Sequence, residues 1–541
     1  MGQPAARVTP AAALDHFFDR CYQRRPVTAT FTGVHAHDHE LPDWSPAGLA
    51  GAVEEMRALR QELDAAGRVA DNLVRVFPDD VDLALADAFL EIQIAEHEGP
   101  HFYRGNPALW TGEAIFSIVS LVTRDFAPID ERLTAAVARL RAIPAFLASA
   151  HRTLGDAPDA WTAKARQECE AAEILFGRSL PGWIPGSGAS PAVARAAVAE
   201  CATARSAFAA FAVWLRDTLP RADASRYSAP TPMLELLVRR GHWWPGSLST
   251  LLEEALAALD DATVRLVEMG WPEAQAQIAS RQASPEAYLS SFADTWTRAR
   301  EAAVSRDLLT WPDAPIRFVP IPAHTREAAP LLYYLSYRSP AAFDRLPIHD
   351  YVVPPAANDS AITLNHVIHH GGIGHHVQNW NAYRSASRIG QVAAIDAASR
   401  IAMFSGGSLA EGWACYVCDL MEEIGFLSPL DRVAQQHTRV RLLARAVVDL
   451  SLHAGQMTLE AAARFYESRG MMPAAPARAE AVKNSMFPGA AVMYWLGARA
   501  IHDLCRTVAA REGKAFSLKR FHDRLLSYGA IPAPLIARLM S

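Results

Sequence analysis

The chain has 541 residues, more than one compact core usually holds, of which 50% are hydrophobic and 20% charged, an ordinary globular balance. Its 52 basic and 58 acidic residues leave a formal charge of -6, which gives no electrostatic case for nucleic acid. No window approaches the roughly 18 apolar residues of a membrane span, Met1 to Arg7 lacks an apolar signal core, and six cysteines are sparse enough for a reducing cytoplasm.

Helical periodicity dominates, so the expected fold class is mainly α with few short strands. Val81 to Ile94 predicts a helix with Leu85, Phe89 and Ile92 on one side. From Asp130, Leu133, Val137, Leu140 and Leu147 recur on one helical face; Asp130 is the expected cap, with Pro128 just before it. Pro181 to Gly188 reads as a turn-rich loop. Alanine-rich stretches at Ala192–Ala212 and Leu251–Leu266 predict two further helices. Short extended pieces fit Ile316–Ile321 and Tyr351–Val353. The segment from Ala314 to Ala357 is rich in proline and aromatics, including Tyr333, Tyr334, Tyr337 and Pro340. It predicts a long ordered lead into a histidine cluster. The natural division is a helical part over 1–310 and a metal-site-bearing helical part over 311–541, unless the two share one core.

Five of the 19 histidines fall within eleven positions: His366, His369, His370, His375 and His376. Gly371, Gly372 and Gly374 break the run. Imidazole is the commonest metal ligand and titrates near neutral pH, so the cluster points to a metal or acid–base site. Asn358 or Ser360 is the expected cap of a helix over Ala361–His370, loosened at the glycines, with a second helical piece from Gly374. In a regular helix His369 and His375, six positions apart, face away from each other. A local bulge at the glycines would turn both inward, and such bulges are frequent at functional sites. The alternative pairs His366 with His370 at i, i+4, the spacing of the two zinc histidines in H-E-x-x-H enzymes, although Val367 stands where the glutamate would be.

Downstream, Gly406 to Ala414 opens a helix ending near Gly425. Ser408-x-x-Glu411 fits a capping box. Beside the histidines, Glu411 is also a candidate carboxylate ligand, because catalytic zinc often takes two histidines and one glutamate. Cys415 and Cys418 form a C-x-x-C pair with no second pair, expected to pack as small apolar residues in that helix. A further helix carries Arg439 and the stripe Arg441, Arg445, Asp449 and His453. The stripe is either a solvated face or a partly buried network.

These segments resemble the bacterial domain-of-unknown-function 885 family, which is similar to zincin metallopeptidases. The family pattern H-E-x-x-P-G-H-H-x-Q reads here from His369 through Gly374, His375 and His376 to Gln378. E-G-W-A-x-Y stands intact from Glu411 to Tyr416, the family's R-L-V-V-D-x-x-x-H helix is similar to Arg445 through Asp449 to His453, and P-G-x-A-x-x-Y ends on Tyr494. The stretch from Pro26 to Ser45 is similar to the family's opening. Three departures stand out: the family's glutamate base is His370, the proline before the glycine is Ile373, and the acidic residue that commonly ends E-G-W-A-x-Y-x-E is Cys418.

The resemblance implies a zincin-like, long-helix metalloenzyme. His369, His375 and Glu411 are the expected metal ligands, and His370 the expected proton carrier. Tyr494 or His453 is expected to stabilise an oxyanion, and His376 and Arg445 to bind substrate. The expected cofactor is zinc, with iron or another divalent metal as alternatives. It would polarise a carbonyl oxygen and lower the pKa of its water to roughly 7. The leading expectation is a hydrolase of a small peptide, amide or related carbonyl compound. Its rivals are a lyase, an isomerase or a non-haem iron oxidation on a specialised small molecule, and a non-catalytic binding protein. Expected partners are that substrate and, as an open case, a second copy of the chain in a homodimer; nucleic acid and membranes are not expected.

Overall fold

The computed structural model describes residues 8–67, 77–284, 286–332, 337, 339–344, 348–396 and 404–541. Tyr333, Tyr334 and the Met1–Arg7 segment lie outside them. The described residues are mainly helical. Their two strands, β1 (Ile316–Pro320) and β2 (His349–Val353), pair in parallel, with Ile316 opposite His349 and Pro320 opposite Val353.

The predicted helices occur at Asp79–Glu98, Ile129–Thr153, Pro191–Asp217 and Leu248–Glu268. Asp130 is not a cap: Pro128 occupies that position, and the Asp130 carboxylate instead accepts the Ser190 N–H at 2.7 Å. The expected loop at 181–188 is largely helical, with a short turn over Leu180–Trp183 and a 3-10 turn over Ile184–Gly186. Pro181 and Pro185 fall in first-turn positions, where the missing N–H costs nothing.

Ile129–Thr153 and Pro191–Asp217 are long and apolar enough, by length and composition, to cross a membrane. This corrects the expectation that no window comes near that threshold. Alanine raises their hydropathy, yet the two helices pack together and contribute Leu133, Leu140, Phe208 and Phe211 to the largest core cluster. The first also carries Arg139, fully buried, which donates to the carbonyls of Glu40, Ser117 and Pro26. The two largest core clusters each draw residues from both sides of position 310. Asp449 shows how distant pieces are tied: buried on the Pro429–His453 helix, its carboxylate accepts the N–H groups of Gly489, Ala491 and Val492, each at 2.9 Å. That anchors the start of the Val492–Glu512 helix and so places Tyr494.

Candidate metal centre

Asn358 caps the histidine segment through the Ala361 N–H at 2.8 Å. After Asp359–Ala361 the chain does not continue as an α-helix. It becomes a ten-residue π-helix over Ile362–Gly371. The bulge expected at the glycines therefore begins nine residues before them and ends on the first, Gly371. The i to i+5 bonding of a π-helix widens each turn. Gly374 lets the next helix, His375–Ala382, begin at once, since a Cβ there would sit 1.9 Å from the His369 carbonyl oxygen. Two indoles hold this step from outside: Trp296 donates to Gly371 O at 3.0 Å and Trp413 to Ile373 O at 2.9 Å.

The result brings His369, His370 and His375 together, with one ring nitrogen of each within 4.8 Å of the others. Glu411 enters from the Phe404–Glu423 helix. One of its oxygens, Oε2, lies 3.1 Å from His369 Nε2 and 3.3 Å from His375 Nε2. Ligands around a tetrahedral zinc with bonds of about 2.0–2.1 Å sit roughly 3.3 Å apart, so this spacing fits a metal-ligand set. Glu411 caps nothing: the helix starts four residues before Ser408, whose hydroxyl accepts the Ala533 N–H at 3.2 Å. Cys415 and Cys418 are free and buried in the same helix, as expected.

Burial opposes charge at His369, His370 and Glu411. It lowers the pKa of His369 against the pull of Glu411, and it holds His370 well below the usual imidazole range, helped by the neighbouring histidines. Burial also works against an ionised Glu411, but the imidazoles of His375 and His369 outweigh it and hold the carboxyl well below its usual range. His370 Nδ1 lies 2.5 Å from the Asn365 carbonyl and must donate to it. A neutral ring so oriented leaves Nε2 as a bare acceptor, the arrangement typical of a metal-ligating or proton-accepting histidine.

The cluster forms part of the wall of a cavity of about 910 Å³. Tyr494 and Arg445 line it too. The Arg445 guanidinium lies 4.4 Å over the Tyr494 ring and 2.8 Å from Glu480, as an ion pair. Burial, and then the charge of Glu411, push the Tyr494 phenol above its usual range, so its hydroxyl stays a donor. The stripe on the Pro429–His453 helix is thus a partly buried network. Within it Arg441, the exposed end of the stripe, also lines the cavity and feels the charge of Glu480.

Three candidates lie elsewhere. His453 is fully buried, with Nδ1 accepting the Ala229 N–H at 2.9 Å and Nε2 donating to Asn484 O at 3.0 Å, so neither nitrogen is left for an oxyanion. His376 turns away from the cavity: its Nε2 donates to Ala314 O at 2.8 Å and its ring stacks near His349. It follows His375 directly, about 100° further round the helix. His366, of the alternative pairing with His370, has its Nδ1 2.8 Å from the Tyr351 hydroxyl and lies outside the three-imidazole group.

Gln378 stands in the family pattern without a role, Arg439 is placed only on its helix, and nothing in the sequence singles out Asn379, Asp419 or His502; all five lie in the cavity wall. Asp419 accepts from Arg439 at 2.6 and 2.9 Å, from Gln435 at 3.0 Å and from His502 at 3.0 Å. A signal was present: Glu411, Cys415 and Asp419 stand at i, i+4 and i+8, one helical face.

The fold recurs in solved structures, two of which cover nearly the whole chain. One is described as a "putative lipoprotein of unknown function" from Shewanella oneidensis, 20% identical, with a TM-score of 0.75, covering 98% of this chain and 99% of that one. The other is described as a "putative lipoprotein" from Colwellia psychrerythraea, 15% identical, with a TM-score of 0.77 and the same coverage of 98% and 99%. No curated protein matches the sequence. The family described as "Bacterial protein of unknown function (DUF885)" matches residues 26–540. With nearly its whole length matched, the chain belongs to the bacterial DUF885 family.

Proposed function

We propose that the chain is a metal-dependent hydrolase of a small peptide, amide or related carbonyl compound, with a zincin-like site. One observation carries this reading: the Glu411 carboxylate is shared by His369 and His375 in the wall of a cavity large enough for a small substrate. The donor set suits zinc, and equally iron, being all nitrogen and oxygen. Such a metal supplies Lewis acidity toward a carbonyl oxygen. The remaining roles belong to the chain. His370 takes up a proton at Nε2, Tyr494 donates a hydrogen bond to a carbonyl oxygen, and Arg445 holds positive charge beside that phenol. His370 in place of a carboxylate base favours a specialised small substrate over broad peptide cleavage.

The clustering of all three imidazoles favours a second reading, in which His370 is a further ligand. A set of three histidines and one glutamate would suit non-haem iron chemistry or a closed structural site. As to location, both solved neighbours carry the description "putative lipoprotein", which favours the cell envelope over the cytoplasm. Fractionation of the native host decides between the two.

The test is a screen of unmodified peptides and small amides with the purified, zinc-loaded protein. Turnover of a small amide is expected, with kcat/KM on unmodified peptides below about 10⁴ M⁻¹s⁻¹, the low end of typical enzymes. Efficient peptide cleavage would restore a plain peptidase, and a library with no turnover at all would contradict the hydrolase reading.

A further inference from the structure

Gln378 and Asn379 follow His375 by three and four positions on the His375–Ala382 helix, so all three share a helix face. All three line the same cavity. Gln378 is 1% exposed, yet among the described residues neither its Oε1 nor its Nε2 has a hydrogen-bond partner. Asn379 is 2% exposed; its Nδ2 donates to the Tyr337 hydroxyl at 3.0 Å and its Oδ1 has no partner among the described residues. Roughly nine in ten buried polar groups in folded proteins are paired. Here one helix face presents three orphaned polar atoms together, next to a metal-ligand cluster. A core helix would place apolar residues there, and the neighbouring Val377 and Ala382 are indeed buried apolar residues.

We propose that Gln378 and Asn379 form a recognition subsite for a planar amide or ureide group of the substrate. The Gln378 carboxamide offers one acceptor and one donor in a single plane. Its complement is another amide, whose C=O meets Nε2 and whose N–H meets Oε1. Asn379 Oδ1 supplies a second acceptor beside it, and the Tyr337 hydroxyl keeps that side chain in place. The subsite recognises this group; the bond that breaks need not be the one it holds. It rests on the reading of the cavity as a substrate site, and narrows the substrate to one bearing an amide. An ester of the same shape lacks the N–H and leaves both acceptor oxygens unpaired in a buried place, which is where discrimination arises.

The experiment uses the full chain as purified, with its metal content measured on the same sample. Two probes are titrated by saturation-transfer NMR: N-acetylglycinamide and its ester counterpart, methyl acetoxyacetate. The wild-type protein is expected to bind the amide about tenfold or more tightly than the ester. Gln378→Met keeps the side-chain length and removes both polar atoms. It is expected to melt higher than wild type, because the orphaned atoms are gone, and to lose the preference for the amide. Gln378→Glu, which keeps the acceptors and removes the donor, is expected to weaken amide binding by a similar factor. Equal binding of the two probes by the wild type, or no binding of either, overturns the subsite. A Gln378→Met protein that melts lower and still prefers the amide also overturns it, because the side chain is then part of a water-bridged structural network. The preference depends on helix side chains alone, so it persists in a metal-free sample. Failure of the metal reading and failure of the subsite are therefore read separately.

Discussion

Gly412 and Gly497 meet where the Phe404–Glu423 and Val492–Glu512 helices cross. A Cβ on Gly412 would lie 2.6 Å from Gly497 Cα, and one on Gly497 would lie 1.8 Å from the Ser408 carbonyl oxygen. This closeness brings Glu411 and Tyr494, one residue before Gly412 and three before Gly497, to one cavity.

Gly497→Ala is therefore expected to destabilise the fold by about 2 kcal/mol or more, as overpacking of a tight contact does. Gly51, on the Pro46–Ala66 helix with nothing near its Cβ position, is the control. Gly51→Ala should be neutral or stabilise by about 0.5–1 kcal/mol through helix propensity. Urea unfolding of both variants checks the pair; equal effects would refute the close crossing.

His370→Ala separates the two roles open to that residue. As a proton carrier, its loss should leave the metal bound and reduce turnover of the amide found in the screen by about 10²–10⁴-fold. Loss of the metal in this variant would make His370 a ligand and support the three-imidazole set.

Acid should destabilise the protein through histidines far from the ligand set. Burial lowers the pKa of His453 and His522 to about 4, while an unfolded imidazole titrates near 6.5. Between those values the unfolded chain binds more protons than the folded one. Stability is then complete above about pH 6.5 and falls as the pH drops toward 4. Denaturation midpoints at pH 7.5, 6 and 5 check this, and His453→Ala should flatten the slope. A pH-independent midpoint over that range would contradict the buried, neutral histidines.

The helices were legible because period and capping act locally: Val81–Ile94, Ala192–Ala212 and Leu251–Leu266 all fall within observed helices. Density of one residue type marked the histidine cluster, and the histidines upstream together with the family's E-G-W-A-x-Y pattern marked Glu411. What the sequence hid was long-range. Ser408 and Glu411 fit a capping box, but a helix start four residues earlier removed the need for one. His453 and His376 are the right residue type on the right segments, and only tertiary structure shows their nitrogens taken by Ala229, Asn484 and Ala314. The π-helix was foreseen only as a kink at the glycines, because its i to i+5 bonding leaves no residue signature.

Metal content, measured by mass spectrometry on protein purified without added metal, bears most directly on the central claim. One equivalent of a divalent transition metal per chain is expected in the wild type, falling to a small fraction in His375→Ala and Glu411→Ala with the fold intact by circular dichroism. Wild-type protein with only traces of metal that cannot be loaded, or full metal occupancy in both variants, would contradict a centre built on His369, His375 and Glu411.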